Sequence, residues 1–166
     1  MKALPIGVGN RFFLLALRWV ALVTFAIWFG GFTFYSAVVI PVLHDELGGI
    51  GQGAITGEVT NTLNAIGVGT VAAWWVLVGV ERSVGGRRAR WGRVGLLAVT
   101  TAVLFGLIAL HPVLDARLEA GSRRDFFSLH QVYLIASTVQ WVVNLALLAL
   151  TLGLWQDGTD DRSVAD

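Results

Sequence analysis

Four long apolar stretches, separated by short charged segments, occupy almost the whole chain. They run over residues 18–43, 59–80, 94–110 and 126–155. The hydrocarbon core of a bilayer is about 30 Å thick, so an α-helix that rises about 1.5 Å per residue crosses it with about 20 apolar residues. Each stretch meets or approaches that length. The pattern therefore predicts an integral membrane protein with four transmembrane helices.

The apolar runs are continuous rather than alternating, and this favours helices over the strands of a membrane barrel. The four spans leave no room for a separate soluble domain, so we expect one all-α four-helix bundle over residues 1–155. An acidic tail over residues 156–166 is expected to be disordered and cytoplasmic. The first apolar run is too long for a cleaved signal peptide and is expected to remain as a span.

Composition agrees with this prediction. Charged residues make up 14% of the chain, whereas a soluble domain carries about 25%. We expect membrane lipids as partners, together with a homo-oligomer or a larger membrane complex, and no nucleic acid.

The basic residues predict the orientation, because they mark cytoplasmic segments. With the N-terminus inside, eight basic residues lie on the inner side and three on the outer side. The inner set is Lys2, Arg11, Arg82, Arg87, Arg88, Arg90, Arg93 and Arg162, and the outer set is Arg117, Arg123 and Arg124. Arg18 snorkels to the inner side at the base of helix 1. We therefore predict a plasma (inner) membrane protein with both termini in the cytoplasm.

This orientation places all three histidines on the outer side. His44 follows the first span, His111 ends the third, and His130 lies near the start of the fourth. His44 and His111 lie beside Pro41 and Pro112 at predicted helix ends, where histidines also cap carbonyls or meet headgroups. The trio is a candidate metal site, and the alternative is a set of ordinary interfacial side chains.

A polar stripe runs along the fourth helix. Its members, His130, Tyr133, Ser137, Gln140 and Asn144, recur at steps of three and four. This spacing puts them on one helix face. Polar groups are costly in hydrocarbon unless they face the bundle interior or a wet cavity, so the stripe is predicted to point inward. The alternative is that the stripe holds the helices together through hydrogen bonds.

Similar faces on the other helices complete a predicted outward-facing pocket. Its lining residues are expected to be Tyr35, Asn61, Asn64 and Asn144, and its cofactor-binding residues His111, His130, Tyr133 and Gln140. The chain has no cysteine, and its one methionine is Met1. Thiolate sites, disulfides, iron–sulfur clusters and covalent c-type haem are thereby excluded, so a metal would need imidazole or oxygen ligands.

Several short motifs carry a family likeness. They are Trp28-Phe29-Gly30-Gly31-Phe32, Val39-Ile40-Pro41-Val42-Leu43, His111-Pro112, Phe126-Phe127-Ser128-Leu129-His130 and Asn144-Leu145. Together they resemble a small four-helix membrane family of unknown function that is grouped with copper resistance protein D. The resemblance implies copper handling at the extracytoplasmic face, or haem binding as in the related membrane-bound protoporphyrinogen oxidase. That oxidase carries a histidine within its first helix, where this chain has none.

Three functions follow from these observations. The first is a binding protein that holds haem b or a divalent metal, copper or zinc, through His111 and His130, with His44 as a third metal ligand. The second is a structural or accessory subunit of a larger membrane complex without a cofactor. The third is a haem-dependent membrane oxidoreductase. The chain supplies no independent catalytic constellation, and this favours a protein that is not an enzyme.

Overall fold

The computed structural model describes residues 8–81, 86–119 and 123–163, with side chains for residues 11–47, 55–81, 86–117 and 126–156. Its elements are α1 (Val8–Phe34), a π-helical segment (Tyr35–Val39), α2 (Ile40–Val80), α3 (Arg87–Glu119) and α4 (Arg123–Ser163). Within the described residues, four stretches are long and apolar enough to cross a membrane: Arg11–Leu47, Ile55–Val80, Arg87–Arg117 and Phe126–Gln156. The predicted all-α four-helix bundle is confirmed.

The first two spans pack antiparallel. The Trp74 indole N–H donates to the Ala21 carbonyl at 3.0 Å, and the Tyr35 hydroxyl donates to the Thr56 carbonyl at 3.2 Å. The chain must therefore reverse its direction between Tyr35 and Thr56. As a result, α2 contributes residues to both of the first two spans.

These two spans approach each other closely at one glycine. A Cβ atom on Gly67 would lie 2.6 Å from the Trp28 indole, closer than any side chain allows. Trp28 is itself buried. The glycine therefore makes room for the buried Trp28 side chain of the first span.

The helices are longer than the sequence predicts. The third span was expected to end near Pro112, yet α3 continues through this proline to Glu119. Proline is tolerated inside membrane helices because neighbouring groups satisfy the backbone positions that it leaves open. The fourth helix also continues to Ser163, through most of the segment 156–166 for which the sequence predicts disorder. Adding one residue to an existing helix costs little free energy, so a change to polar composition does not by itself end the helix.

The core is a cluster of buried apolar side chains near the bundle axis: Ala21, Phe25, Trp28, Val71, Trp74, Leu77, Val78, Leu97, Leu104 and Leu147. Many large apolar side chains point outward instead, among them Phe12, Ile27, Val76, Phe105 and Ile135. Helices that are apolar around most of their circumference are typical of a membrane span.

One end of the bundle is closed by a charge cluster that consists of Arg18, Glu81, Arg93 and Trp155. The Glu81 side chain is fully buried, and its two carboxylate oxygens accept from Arg18 Nε at 2.7 Å and Arg93 Nη2 at 2.8 Å. Trp155 Nε1 donates to the same carboxylate at 3.0 Å, and the Arg18 guanidinium lies 4.6 Å from the Trp155 ring centroid. Each of the four spans supplies or adjoins one member, so the cluster ties all four together.

Two members of this cluster, Arg93 and Trp155, can be compared with the positions that the sequence predicts for them. Arg93 was expected in a cytoplasmic loop, but α3 begins at Arg87 and carries Arg93 inside the bundle, 2% exposed. Trp155 was expected at the end of the fourth span, and there it bonds Glu81. The Glu81–Arg93 pair depends on two helix ends meeting in space, which helical periodicity does not reveal.

Candidate functional site

A large cavity opens at the end of the bundle opposite the charge cluster. Its volume is about 750 Å³, within the range of about 300–1,000 Å³ that is typical of small-molecule sites. We call it the main cavity. Its lining comes from all four spans and includes Phe32, Thr33, Tyr35, Ser36, Thr56, Gly57, Thr60, His111, Leu114, Asp115, Phe126, His130, Tyr133, Ser137, Thr138 and Trp141.

His111 is one of the two histidines in this lining. Its side chain is 13% exposed, and the Asp115 carboxylate lies 3.8 Å from Nε2, beyond hydrogen-bond distance. Nε2 is buried and has no hydrogen-bond partner among the described residues. A Cβ on Gly57 would lie 3.7 Å from the same atom, so the second span packs directly against the imidazole. His111 therefore combines a place in the cavity lining with a buried nitrogen that has no hydrogen-bond partner among the described residues.

His130 lies in the same lining but in a different environment. Its ring is half-buried and stacks on the Phe126 ring, with centroids 5.6 Å apart and planes 10° from parallel. The two residues are one helical turn apart, the spacing that brings side chains of a helix together. The stacking fixes the plane of the imidazole at the cavity wall.

The π-helical segment forms another wall. Tyr35 and Ser36 belong to it and line the cavity. The Ile40 N–H donates to the Tyr35 carbonyl, five residues back, and Pro41 follows with no N–H of its own. Proline disrupts the ordinary four-residue pattern, and this explains the wider turn here. Such segments occur frequently at functional sites.

Tyr133 lies between the two histidines and the bundle interior. Its ring centroid is 6.3 Å from that of His111, and its phenol lies close to the Asn64 side chain. Asn64 comes from the second span, so the second and fourth spans meet at the inner boundary of the main cavity.

Gln140 and Asn144 lie deeper than the sequence predicts. Both are buried, and both line a second, much smaller cavity rather than the main one. The Thr100 hydroxyl donates to Asn144 Oδ1 at 3.0 Å. The prediction that the polar stripe points inward is thus confirmed for Ser137, Gln140 and Asn144, but Gln140 and Asn144 do not touch the main cavity.

Two predicted site residues do not join the pocket. Asn61 is exposed on the outer face of α2, because the buried face of this helix passes through Gly67, Thr70, Trp74 and Leu77 instead. His44 is also exposed and is absent from the cavity lining. The three histidines are therefore not assembled together. Within the described residues, no three His, Asp or Glu side chains lie close enough to hold a metal ion.

Sequence reasoning missed several lining residues. Asp115 lies one turn after His111, and Phe126 one turn before His130. Both positions follow directly from helical spacing, so the signal was present in the sequence. Trp141 was also missed. Its indole N–H donates to the Thr33 hydroxyl at 3.1 Å, a contact between the first and fourth spans that only the packing reveals.

No protein-family model matches the chain, and no match was found among the curated proteins or the solved structures.

Proposed function

We propose that this membrane protein binds a flat, mostly apolar cofactor in the main cavity through His111, with haem as the first candidate. The observation that carries the proposal is that His111 lines a cavity of about 750 Å³, while its buried Nε2 has no hydrogen-bond partner among the described residues. A buried polar atom without a partner costs about 1–3 kcal/mol. A ligand that accepts coordination from this nitrogen would remove that cost.

The walls of the cavity favour a flat ligand over a bare ion. Phe32, Phe126 and Trp141 present aromatic rings to it, and such rings pack against planar molecules. A lone divalent metal such as copper or zinc needs more ligands, since zinc sites use three or four protein groups. Haem iron needs one or two axial imidazoles from the protein, and the cavity contains two histidines.

The remaining predicted residues take distinct roles under this proposal. His130, which also lines the cavity, would supply a second imidazole to the iron or stack against the cofactor. Tyr133 forms the wall beside His111, with the two ring centroids 6.3 Å apart. Gln140 and Asn144, which lie outside the main cavity, do not contact the cofactor.

Titration of the detergent-purified protein with haemin tests the proposal. We expect a Soret band in the wild type and its loss in His111→Ala. His44→Ala is the matched control, because His44 is outside the cavity lining and its removal should leave the spectrum unchanged. A wild type that fails to bind haemin would contradict the proposal, and so would equal binding by His111→Ala.

Elemental analysis of the same preparation tests the alternatives. If stoichiometric copper or zinc is present in the wild type and lost in His111→Ala, the ligand of the cavity is a metal ion instead of haem. Protein that binds neither haemin nor added metals would favour an accessory subunit of a membrane complex. A haem-dependent oxidoreductase requires electron exchange with a quinone or porphyrin, which reduction of the bound haem by such a donor would establish.

Kinship with the copper resistance protein D-like family stays a prediction, as do the plasma-membrane location and the oligomeric state. The orientation with both termini in the cytoplasm is also a prediction. Reporter fusions at residues 87–88 test it directly. An external location there would place the main cavity on the cytoplasmic side.

A further inference from the structure

A second cavity lies below the main one, near the middle of the bundle. Its volume is about 10 Å³, and we call it the inner chamber. Phe32, Ser137 and Trp141 line both cavities, so the chamber adjoins the floor of the main cavity. Gln140, another lining residue, lies close to the midpoint of the fourth span, Phe126–Gln156.

Three buried polar atoms around the inner chamber have no hydrogen-bond partner among the described residues. They are Asn64 Nδ2, Ser137 Oγ and Gln140 Nε2, and all three residues line the chamber. Ser137 and Gln140 are each 6% exposed. Three unpaired polar atoms around one small space are unusual, because buried polar groups are almost always hydrogen-bonded.

We propose that the inner chamber binds one water molecule, which enters from the main cavity. A water molecule needs an enclosed space of at least about 10–15 Å³, and it needs two to four polar partners for hydrogen bonding. The chamber meets the volume at its lower limit and offers three partners. A metal cation fits poorly, because no carboxylate lines the chamber and amide N–H groups donate rather than accept.

This water extends a polar path from one side of the bundle only. Above the chamber the Tyr133 phenol lies close to the Asn64 side chain, and beside the chamber lies the Thr100–Asn144 bond. Beyond Asn144, towards the charge cluster, the interior contains the fully packed side chains of Trp74, Leu97 and Leu147. Water therefore reaches the middle of the bundle from the main cavity and is stopped there by an apolar layer. This inference does not depend on His111 or on haem.

The sign of a stability change tests the bound water. If the chamber is dry, removing an unpaired donor relieves its burial cost, and the apolar variants gain stability. If water bridges the donors, the same variants lose hydrogen bonds. We expect Ser137→Ala and Gln140→Met each to lower the Tm by about 2–4 °C.

Thr138→Val is the matched control. Its hydroxyl donates to the Leu134 carbonyl of its own helix and does not face the chamber, so the Tm should be almost unchanged. An increase in Tm for both chamber variants would overturn the proposal. Ser137→Ala removes a single atom, so it stays informative even if Gln140→Met packs badly.

Cysteine reactivity tests the one-sided path independently, and the natural chain has no cysteine to remove. Thiols react with N-ethylmaleimide as thiolates, which require water. We expect Ser137→Cys and Gln140→Cys to react about tenfold or more faster than Leu147→Cys within the apolar layer. Val139→Cys, on the outer face of the same helix, should also be slow.

Intact-protein mass spectrometry measures each rate in native membranes. After denaturation in detergent all four variants must react, which confirms that every thiol is present. Slow reaction of Gln140→Cys in the native state would contradict a hydrated chamber. Fast reaction of Leu147→Cys would contradict the apolar layer.

Discussion

The two ends of the bundle differ in how they treat their buried polar groups. At one end, the Glu81 carboxylate bonds Arg18, Arg93 and Trp155. At the other end, His111 leaves a buried nitrogen without a partner among the described residues and faces an open cavity. The first arrangement fixes the relative positions of four spans, although Arg93 Nε also lacks a hydrogen-bond partner among the described residues, whereas the second adjoins a cavity that has room for a ligand. Stability and binding are thus assigned to opposite ends.

The energetic cost also differs between the ends. A buried ion pair contributes little net stability when complete, because desolvation offsets attraction. Removing one partner is expensive, since the other charge stays buried alone. An unpaired imidazole nitrogen destabilises the folded protein less than an unpaired charge does. Its replacement by an apolar group breaks no hydrogen bond. Removing the Glu81 carboxylate should therefore destabilise the protein, whereas replacing His111 by an apolar residue should not.

Removing the Glu81 carboxylate should produce the largest effect. Glu81→Ala leaves Arg93, 2% exposed, without its counter-charge and should cost about 3–5 kcal/mol of unfolding free energy. Detergent-titrated unfolding measures the loss. Glu58→Gln on the exposed face of α2 is the control and should stay within about 0.5 kcal/mol. Equal stability of the two variants would refute a structural role for the cluster.

The same substitution at the two ends sharpens the comparison. Trp155→Phe loses a hydrogen bond to a charged group and should cost about 1.5–3 kcal/mol more than the change of ring alone. Trp141→Phe loses a bond to the neutral Thr33 hydroxyl and should lose only about 0.5–1.5 kcal/mol for it. Both variants make the same change of ring, so the difference between their unfolding free energies compares the charged cluster, including the Arg18–Trp155 ring contact, with the neutral contacts of Trp141. A larger loss for Trp141→Phe would reverse the assignment of the ends.

The packing between the ends is tested by two neighbouring glycines. Gly67→Ala drives a Cβ into the Trp28 ring and should destabilise the protein by about 1–3 kcal/mol. Gly69→Ala meets no atom within 4 Å and should be neutral, or stabilising by up to about 1 kcal/mol, because alanine favours helices. Thermal unfolding of the pair measures both, and a similar loss for each would show that Gly67 has no special role.

The smallest expected effect belongs to the cavity end. His111→Leu removes an unpaired polar atom and should change the unfolding free energy by less than about 1 kcal/mol, in the stabilising direction. A loss comparable to that of Glu81→Ala would mean that His111 is a structural residue. Unfolding and haemin titration on the same sample separate stability from binding.

The sequence predicts the spans well because length and apolar content decide them. It also predicts which face of the fourth helix points inward, because the polar residues at steps of three and four all lie on one face of that helix. The second helix has fewer polar residues, and Asn61 and Asn64 alone do not define which of its faces points inward. Asn64 faces the interior and Asn61 does not, since Gly67 and Trp74 fix the contact with the first span. Helical period alone does not rank these competing faces.

Contacts between distant parts of the chain are the other limit. Arg18 bonds a carboxylate 63 residues later, and Trp155 bonds the same group from 74 residues away. The orientation of the protein in the membrane already accounts for basic residues at the ends of the spans. The sequence therefore gives no reason to pair these residues with Glu81. The same holds for Trp141 and Thr33, whose contact depends on the order of helices around the bundle.

The sequence separation within the charge cluster has a consequence for biosynthesis. Arg18 and Glu81 are both present once the second span has been made, so the first two spans already contain one ion pair as a helical hairpin. Arg93 joins at the start of the third span. Trp155 is synthesised last, near the end of the fourth span. Completion of the cluster therefore coincides with completion of the bundle, and a chain truncated before Trp155 lacks the final bond to the shared carboxylate.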